Sequence, residues 1–291
     1  MIINYRRYLK RRNYSSHTVK NYLNTLRHYV LWLDVPIEQV TARKINVYID
    51  HLLGKRREPK TINCHLGSIR RFYDYLRFEE ELALDNPVKR GVLLRLAKPL
   101  PKHLRDSEVS RFLQVLKGRR DRAMFMLMLR CGLRVEEVAN LTLDAVDWRR
   151  LRLYVVHGKG AKDRVVYISP DTREALVAYV KQRLSSHVKK IFLVEKGAHK
   201  GSPISVRGIQ KRMEHYARKS GLMVSCHQLR HTMATQMLNA DAPLVSIQDL
   251  LRHNWIMTTQ RYCKVSNVKV QRDYHQAMER IVSRYREQET T

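Results

Sequence analysis

The chain is 291 residues long, which suits either one large domain or two of ordinary size. Its hydrophobic fraction of 44% predicts a folded core, and its apolar runs stay well below the roughly 18 residues of a membrane-spanning helix. An excess of 56 Lys and Arg over 27 Asp and Glu gives a net charge of +29. Such a charge indicates a polyanionic partner, with nucleic acid first and acidic lipid a distant second.

The first 95 residues have the pattern of basic amphipathic helices. The stretch SSHTVKNYLNTLRHYVLWL begins with a serine cap, and TARKINVYIDHLL begins with a threonine cap. A third helix is expected over residues 60–82. The faces opposite the apolar residues carry Arg and Lys, which suits contact with phosphates. We therefore predict an N-terminal helical, nucleic-acid-binding domain over residues 1–95.

A linker and a second domain follow. Residues 85–104 hold three prolines and no sustained period, and we predict a linker over 96–104. In the second domain, 105–291, Asp106 or Ser107 is expected to cap the first helix. A buried helix over 121–130 and another over 171–184 are also predicted.

A small sheet completes the predicted second domain. Two alternating runs, LRLYVVHGKG and AKDRVVYISP, predict a β-hairpin with a glycine-rich turn. The predicted fold class is therefore mainly α with a small antiparallel sheet.

The cellular setting is expected to be a reducing cytoplasm. The N-terminus, MIINYRRYLKRRNY, lacks the continuous apolar segment of a secretory signal. The cysteines are scattered without a CxxC pair, which disfavours a disulfide framework or a zinc ribbon. These cysteines are Cys64, Cys131, Cys226 and Cys263.

Two short motifs suggest chemistry that the neighbouring residues do not support. His227 and His231 have the helical spacing of a zinc protease, but Gln228 stands where those enzymes have a catalytic glutamate. The stretch HGKGAKD lacks the upstream glycine and the following Ser or Thr of a phosphate loop. We therefore predict neither a metal nor a cofactor.

A set of side chains in the second domain fits phosphoryl transfer without a metal. Two arginines can grip the non-bridging oxygens of a phosphodiester. A lysine or histidine can protonate the leaving oxygen, and a tyrosine can attack phosphorus. Each member alone has an ordinary alternative, such as a surface arginine, a capping histidine or a packing tyrosine. The set is Arg134, Lys159, His227, Arg230, His253 and Tyr262.

These residues lie in motifs that resemble those of the tyrosine recombinase (phage integrase) family. CGLRVEEVANLTLDAVD is similar to the first arginine motif, with Glu137 as the structural carboxylate, and HGKGAKDRVVYI resembles the hairpin that carries the family's lysine. HQLRHTMATQML and LLRHNWIMTTQRY resemble the two remaining motifs. The resemblance covers almost the whole chain, and it is closest to Xer-type and transposon or integron recombinases.

The resemblance implies a role for each residue. Tyr262 would attack the scissile phosphate and form a 3′-phosphotyrosine, while Lys159 would protonate the leaving 5′-oxygen. His227 would assist proton transfer. The phosphoryl group would be held by Arg134, Arg230 and His253. The family's fold is an N-terminal helical core-binding bundle followed by an α+β catalytic domain.

The resemblance also implies partners and an assembly. The substrate would be double-stranded DNA with paired inverted-repeat sites. A homo-tetramer would exchange strands through a Holliday junction, without ATP. Two other functions stay open, a catalytically idle DNA-binding protein of the same fold and a type IB topoisomerase.

Two features of the C-terminal part stay open at this point. Arg252 stands where the family usually has glycine, and CKV follows Tyr262 in place of a commoner Thr-His-Val. The tail is predicted to form a helix that packs on its own domain or on a neighbouring protomer. Its apolar stripe comprises Val270, Tyr274, Ala277, Met278 and Ile281.

Overall fold

The computed structural model describes residues 1–97, 102–155, 164–185, 187–251, 274–275 and 278–279. The chain divides into two compact units, Met1–Lys98 and Pro99–Thr291. Both are mainly helical, and the second unit contains a small antiparallel sheet. The predicted fold class is thereby confirmed.

The N-terminal unit is a helical bundle whose helix starts follow the predicted caps. The hydroxyl of Ser15 accepts the backbone N–H of Thr18 at 3.2 Å, and that of Thr41 accepts the N–H of Lys44 at 3.3 Å. Its helices are α1 (Ile2–Arg11), α2 (Ser16–Trp32), α3 (Ala42–Gly54) and α4 (Pro59–Phe78).

Two details of this bundle differ from the sequence-based expectation. Helix α1 was not predicted, because its basic residues obscure an apolar face that buries only Tyr5 and Leu9. Helix α4 ends at Phe78 and does not continue to residue 82. Glu81 has a left-handed backbone with φ of 54°, a conformation that a right-handed helix does not contain.

The core of the C-terminal unit is built around one apolar helix. Every residue of 123–129 is at most 1% exposed, so the predicted buried helix is confirmed. This helix is α6, and it packs against α8 and α10. The helices of the unit are α5 (Asp106–Val115), α6 (Arg119–Arg130), α7 (Val135–Asn140), α8 (Pro170–Val180), α9 (Val206–Ser220), α10 (Cys226–Asn239) and α11 (Leu244–Leu251).

Two helix ends in this unit were predicted wrongly. Helix α5 begins at Asp106 with Arg105 as its N-cap, because the Glu108 carboxylate accepts the Arg105 backbone N–H at 2.8 Å. Neither Asp106 nor Ser107 is the cap. Helix α8 ends at Val180, short of the expected residue 184.

The sheet has the order β1 (Val146–Asp147), β2 (Arg152–Val155) and β3 (Arg164–Tyr167), all antiparallel. Strands β2 and β3 confirm the predicted hairpin strands, while β1 is too short to show alternation. Leu153 pairs with Val166, and both side chains are fully buried. Arg164 has the same parity as Val166 and therefore faces the core as well.

Some expectations fall outside the described residues. These are the hairpin turn, Arg252 and the residues directly after Tyr262, and three of the five tail-stripe residues, Val270, Ala277 and Ile281. Along the described parts of the chain, no helix combines the length and apolar character needed to cross a bilayer.

A pair of buried tyrosines in the N-terminal core gives a matched stability test. The Tyr73 hydroxyl donates to the Ile37 carbonyl at 3.0 Å and lies 3.4 Å from the Tyr29 hydroxyl. The Tyr5 hydroxyl is buried without a hydrogen-bond partner among the described residues.

We expect Tyr73→Phe to lower the free energy of unfolding by about 1–2 kcal/mol, because it removes a satisfied buried hydrogen bond. Tyr5→Phe, the matched control, should leave that free energy unchanged or raise it slightly, because no bond is lost. Urea unfolding followed by circular dichroism measures both. Equal losses in the two variants would contradict this assignment.

Candidate functional site

The site begins at the N-terminus of α7, where a buried carboxylate holds the predicted arginine. The Glu137 carboxylate accepts the backbone N–H of Arg134 at 2.7 Å and the Nη1 of its side chain at 3.0 Å. The first bond satisfies an amide that the helix leaves unpaired. The backbone position of Arg134 is therefore set by the N-terminus of α7 and by its hydrogen bond to Glu137.

A second arginine reaches the same carboxylate from the sheet. Arg164 places Nη1 2.7 Å from one oxygen of Glu137 and Nη2 2.7 Å from the other. The side chains of Arg164 and Glu137 are 6% and 1% exposed, whereas that of Arg134 is 40% exposed. The buried pair therefore joins α7 to β3, while Arg134 stays open to solvent.

The surroundings of Glu137 keep it ionised. Burial of the carboxyl raises its pKa, but the hydrogen bonds and charge of Arg164 lower it more, and Arg134 lowers it further. The net result is a pKa of about 2. Glu137 is therefore an ionised carboxylate at neutral pH.

The second predicted arginine lies on α10 and is buried by the fold. Arg230 is 2% exposed. Its Nη1 donates to the carbonyl oxygen of Gly132 and its Nη2 to that of Leu251. A buried charge is tolerated only when such partners replace water.

Two features require glycine at position 132, its backbone conformation and the close packing around its Cα. Its φ is +65°, in the left-handed region, and an added Cβ would lie 3.1 Å from a methyl of Leu251 and 3.2 Å from the Met233 sulfur. The turn at Cys131–Gly132 thus lets the Gly132 carbonyl approach Arg230.

Both predicted arginines converge on the end of α11. Arg134 places Nη2 3.5 Å from the Leu251 carbonyl oxygen that also accepts from Arg230. Two arginines from distant parts of the sequence are thereby brought to one atom.

His227 lies on the same helix as Arg230, beside this convergence. Burial lowers the pKa of its imidazole, and the charges of Arg230 and Arg134 lower it further. The ring of His231 stands edge-on to it, with centroids 4.2 Å apart. His227 is therefore neutral near pH 7 and able to accept a proton.

An open cleft adjoins His227. Its volume is about 1030 Å³, and His231, Lys102 and Arg218 also line it. Within the described ranges, no group of three or more His, Cys, Asp or Glu side chains is close enough to hold a metal ion.

The structure brings four of the predicted site residues together: Arg134, Glu137, His227 and Arg230. The other three, Lys159, His253 and Tyr262, lie outside the described residues. Arg164 and the Leu251 carbonyl were missed. The sequence held one signal for Arg164, because it is a charged residue at a position of an alternating strand that faces the core.

This arrangement can bind an oxyanion. The partly exposed guanidinium of Arg134 supplies donors and positive charge, which suits the non-bridging oxygens of a phosphoryl group, and the buried Arg230 adds positive charge beside it. Their charge also offsets the charge that develops in a transition state at such a group. The neutral imidazole adds a proton acceptor.

The ion pairs of Glu137 make the stability of the C-terminal unit depend on pH. The folded pKa of Glu137, about 2, is below its ordinary value of 4.5. Its contribution is therefore fully present above about pH 4.5 and is lost as the pH falls toward about 2.

We expect Glu137→Gln to lower the free energy of unfolding by about 3 kcal/mol at pH 6, because the glutamine carries no charge. The difference from the unsubstituted chain should shrink as the pH falls toward 2. Urea unfolding at several pH values between 3 and 6 measures it. A difference independent of pH would contradict the ion-pair assignment.

Comparisons with known proteins identify the family of the chain. Residues 102–268 match the phage integrase family. Residues 2–80 match the N-terminal SAM-like domain of phage integrases. The two matches fall in different units of the chain.

Individual relatives cover nearly the full length. Tyrosine recombinase XerA of Thermococcus kodakarensis is 33% identical over 261 residues, which is 89% of this chain and 88% of that protein. Tyrosine recombinase XerC of Bacillus subtilis is 30% identical over 281 residues, 90% of each.

A solved structure shares the fold. The Tn1549 transposon integrase, solved in complex with a circular intermediate DNA, matches with a TM-score of 0.74 and 18% identity. The match covers 90% of this chain and 93% of that one. The chain therefore belongs to the phage integrase family, as a tyrosine recombinase of the Xer-like type.

Proposed function

We propose that this tyrosine recombinase cleaves and rejoins double-stranded DNA at specific sites through a covalent 3′-phosphotyrosine on Tyr262. The observation that carries the proposal is the convergence of Arg134 and Arg230 on one carbonyl oxygen, beside a neutral His227. These groups suit a phosphodiester, and the name of each matched relative is that of a recombinase.

In the proposed cleavage step, one proton leaves the tyrosine and one proton is supplied to the leaving oxygen. The Tyr262 oxygen attacks phosphorus as its phenolic proton passes to His227, whose lowered pKa favours the neutral acceptor. The bond from phosphorus to the 5′-oxygen breaks, and Lys159 supplies the proton to that oxygen. Arg134, Arg230 and His253 hold the phosphoryl group.

Rejoining is the reverse of cleavage. The 5′-hydroxyl of a partner strand attacks the phosphotyrosine, and Tyr262 leaves as the phenol. The phosphotyrosine conserves the energy of the broken bond, so neither ATP nor a metal is needed.

The N-terminal unit is proposed to be the core-binding domain. Basic side chains crowd the exposed surface of α1, and others surround the turn before α4. Exposed cations of this kind suit contact with phosphates. On α1 they are Arg6, Arg7, Lys10 and Arg11, and near the turn they are Lys55, Arg56, Arg57 and Lys60.

The assembly is proposed from the family. Four copies would act on two DNA sites with inverted repeats and pass through a Holliday junction. The protein would then work at the nucleoid. The domain limits 1–95, 96–104 and 105–291 belong to the same proposal.

We expect Tyr262→Phe to abolish the covalent complex while DNA affinity stays within about twofold, because only the attacking oxygen is removed. The substrate is a nicked suicide duplex that carries the inverted repeats, and the adduct is detected by denaturing gel electrophoresis. Tyr167→Phe, at an exposed tyrosine of β3, is the matched control and should form the adduct normally.

Three outcomes would contradict the proposal. An adduct that persists in Tyr262→Phe would exclude this nucleophile. The absence of an adduct with any candidate duplex would favour the idle DNA-binding protein. Relaxation of a plasmid without a specific site would favour a type IB topoisomerase.

Affinity for DNA should fall steeply with salt. Each phosphate that a Lys or Arg neutralises adds about −0.9 to the slope of log K against log salt. With a net charge of +29, we expect a slope of about −5 or steeper. Fluorescence anisotropy at salt concentrations from about 50 to 300 mM measures this slope. A slope near zero would contradict phosphate-dominated binding.

A further inference from the structure

Arg164 is a residue to which the proposed chemistry assigns no role, although among the described residues of the site it makes the shortest ion pair. It grips both oxygens of Glu137 at 2.7 Å with the two ends of its guanidinium fork. Both side chains are almost completely buried. Parallel charge-assisted bonds of this kind are the most directional that a carboxylate forms.

The charges around Glu137 indicate the electrostatic effect of Arg164 on its neighbours. Among the described residues, one carboxylate lies between two guanidinium groups, so these three side chains together carry one net positive charge. Arg164 is the buried partner with the closer contacts, and Arg134 is the exposed partner with a single 3.0 Å side-chain bond. Glu137 is therefore neutralised mainly by Arg164, and the charge of Arg134 stays available.

Loss of Arg164 would change which arginine neutralises Glu137. Among the described residues, Arg134 would then be the cation paired with Glu137, and the negative charge of Glu137 would offset that of Arg134. The effect is large because charges interact more strongly in a buried setting than in water. An anion approaching Arg134 would meet a neutral pair in place of a cation.

The place of Arg164 in the sheet gives it a second effect. It is the first residue of β3 and pairs with Val155, the last residue of β2. The segment between these strands carries Lys159. The bond from Arg164 to Glu137 therefore attaches the base of that segment to the start of α7.

We propose that Arg164 is a positioning residue that neutralises Glu137, so that Arg134 keeps its charge for the scissile phosphate. Through the same bond, it anchors the base of the hairpin that carries Lys159. This inference rests on the proposed recombinase function.

The test measures the rate of covalent complex formation on the nicked duplex at saturating DNA, together with DNA affinity. Arg164→Met should slow the rate by roughly tenfold or more, since misplaced or neutralised groups at the reacting centre are costly. Arg164→Lys keeps the charge without the fork and should be slowed less.

The double variant Arg164→Met/Glu137→Gln separates charge from structure. It removes the carboxylate that would offset Arg134, so it should form the complex several-fold faster than Arg164→Met alone. A merely structural role for Arg164 predicts no recovery, because the double variant removes both members of the buried pair.

Arg120→Met is the matched control. Arg120 is also a buried arginine with an ion-pair partner, Asp121, but it lies at the opposite end of α6 from the turn that leads to Arg134. We expect it to lower thermal stability and to leave the cleavage rate of the folded enzyme within about twofold. If Arg164→Met does not fold, Arg164→Gln replaces it in both comparisons.

Two results would overturn the inference. One is an Arg164→Met enzyme that cleaves as fast as the unsubstituted chain. The other is a slowed Arg164→Met enzyme whose rate does not recover in the double variant. Both differ from failure of the proposed function, in which the unsubstituted chain itself forms no adduct.

Discussion

The carboxylate of Glu137 is the point at which the separate parts of the site meet. It closes the N-terminus of α7, binds Arg134 through backbone and side chain, and pairs with Arg164 from the sheet. A buried carboxylate is costly without cations and strongly held with them. Its burial between two arginines therefore ties α7, β3 and the exposed guanidinium of Arg134 into one rigid arrangement.

A second convergence lies at one backbone carbonyl of α11. The carbonyl of Leu251 at the end of α11 accepts from Arg230, and Arg134 lies within reach of it. Gly132 makes this packing possible because a larger residue would meet Leu251 and Met233. The apolar helix α6 underlies both convergences, since it leads directly into the Gly132 turn and packs against α10. The core thus sets the separation of the two arginines.

Much of the fold could be predicted from local patterns. Apolar periodicity and caps located α2, α3 and α4, and alternation located β2 and β3. The missed elements had weak local signals. Helix α1 buries two residues among many basic ones, and β1 contains only two residues. Helix ends were misplaced where a single residue decided them, as at Arg105 and Glu81.

The sequence by itself determined the chemistry that this protein carries, because residue types and their order are written in it. Arg134, Glu137, His227 and Arg230 were predicted as site residues without coordinates. Tertiary structure decided which atoms these side chains meet. Arg164 and the Leu251 carbonyl entered the site only through folding, because strand pairing and helix packing bring together groups that no sequence spacing relates. The division of charge around Glu137 follows from burial, which is a property of the folded chain alone.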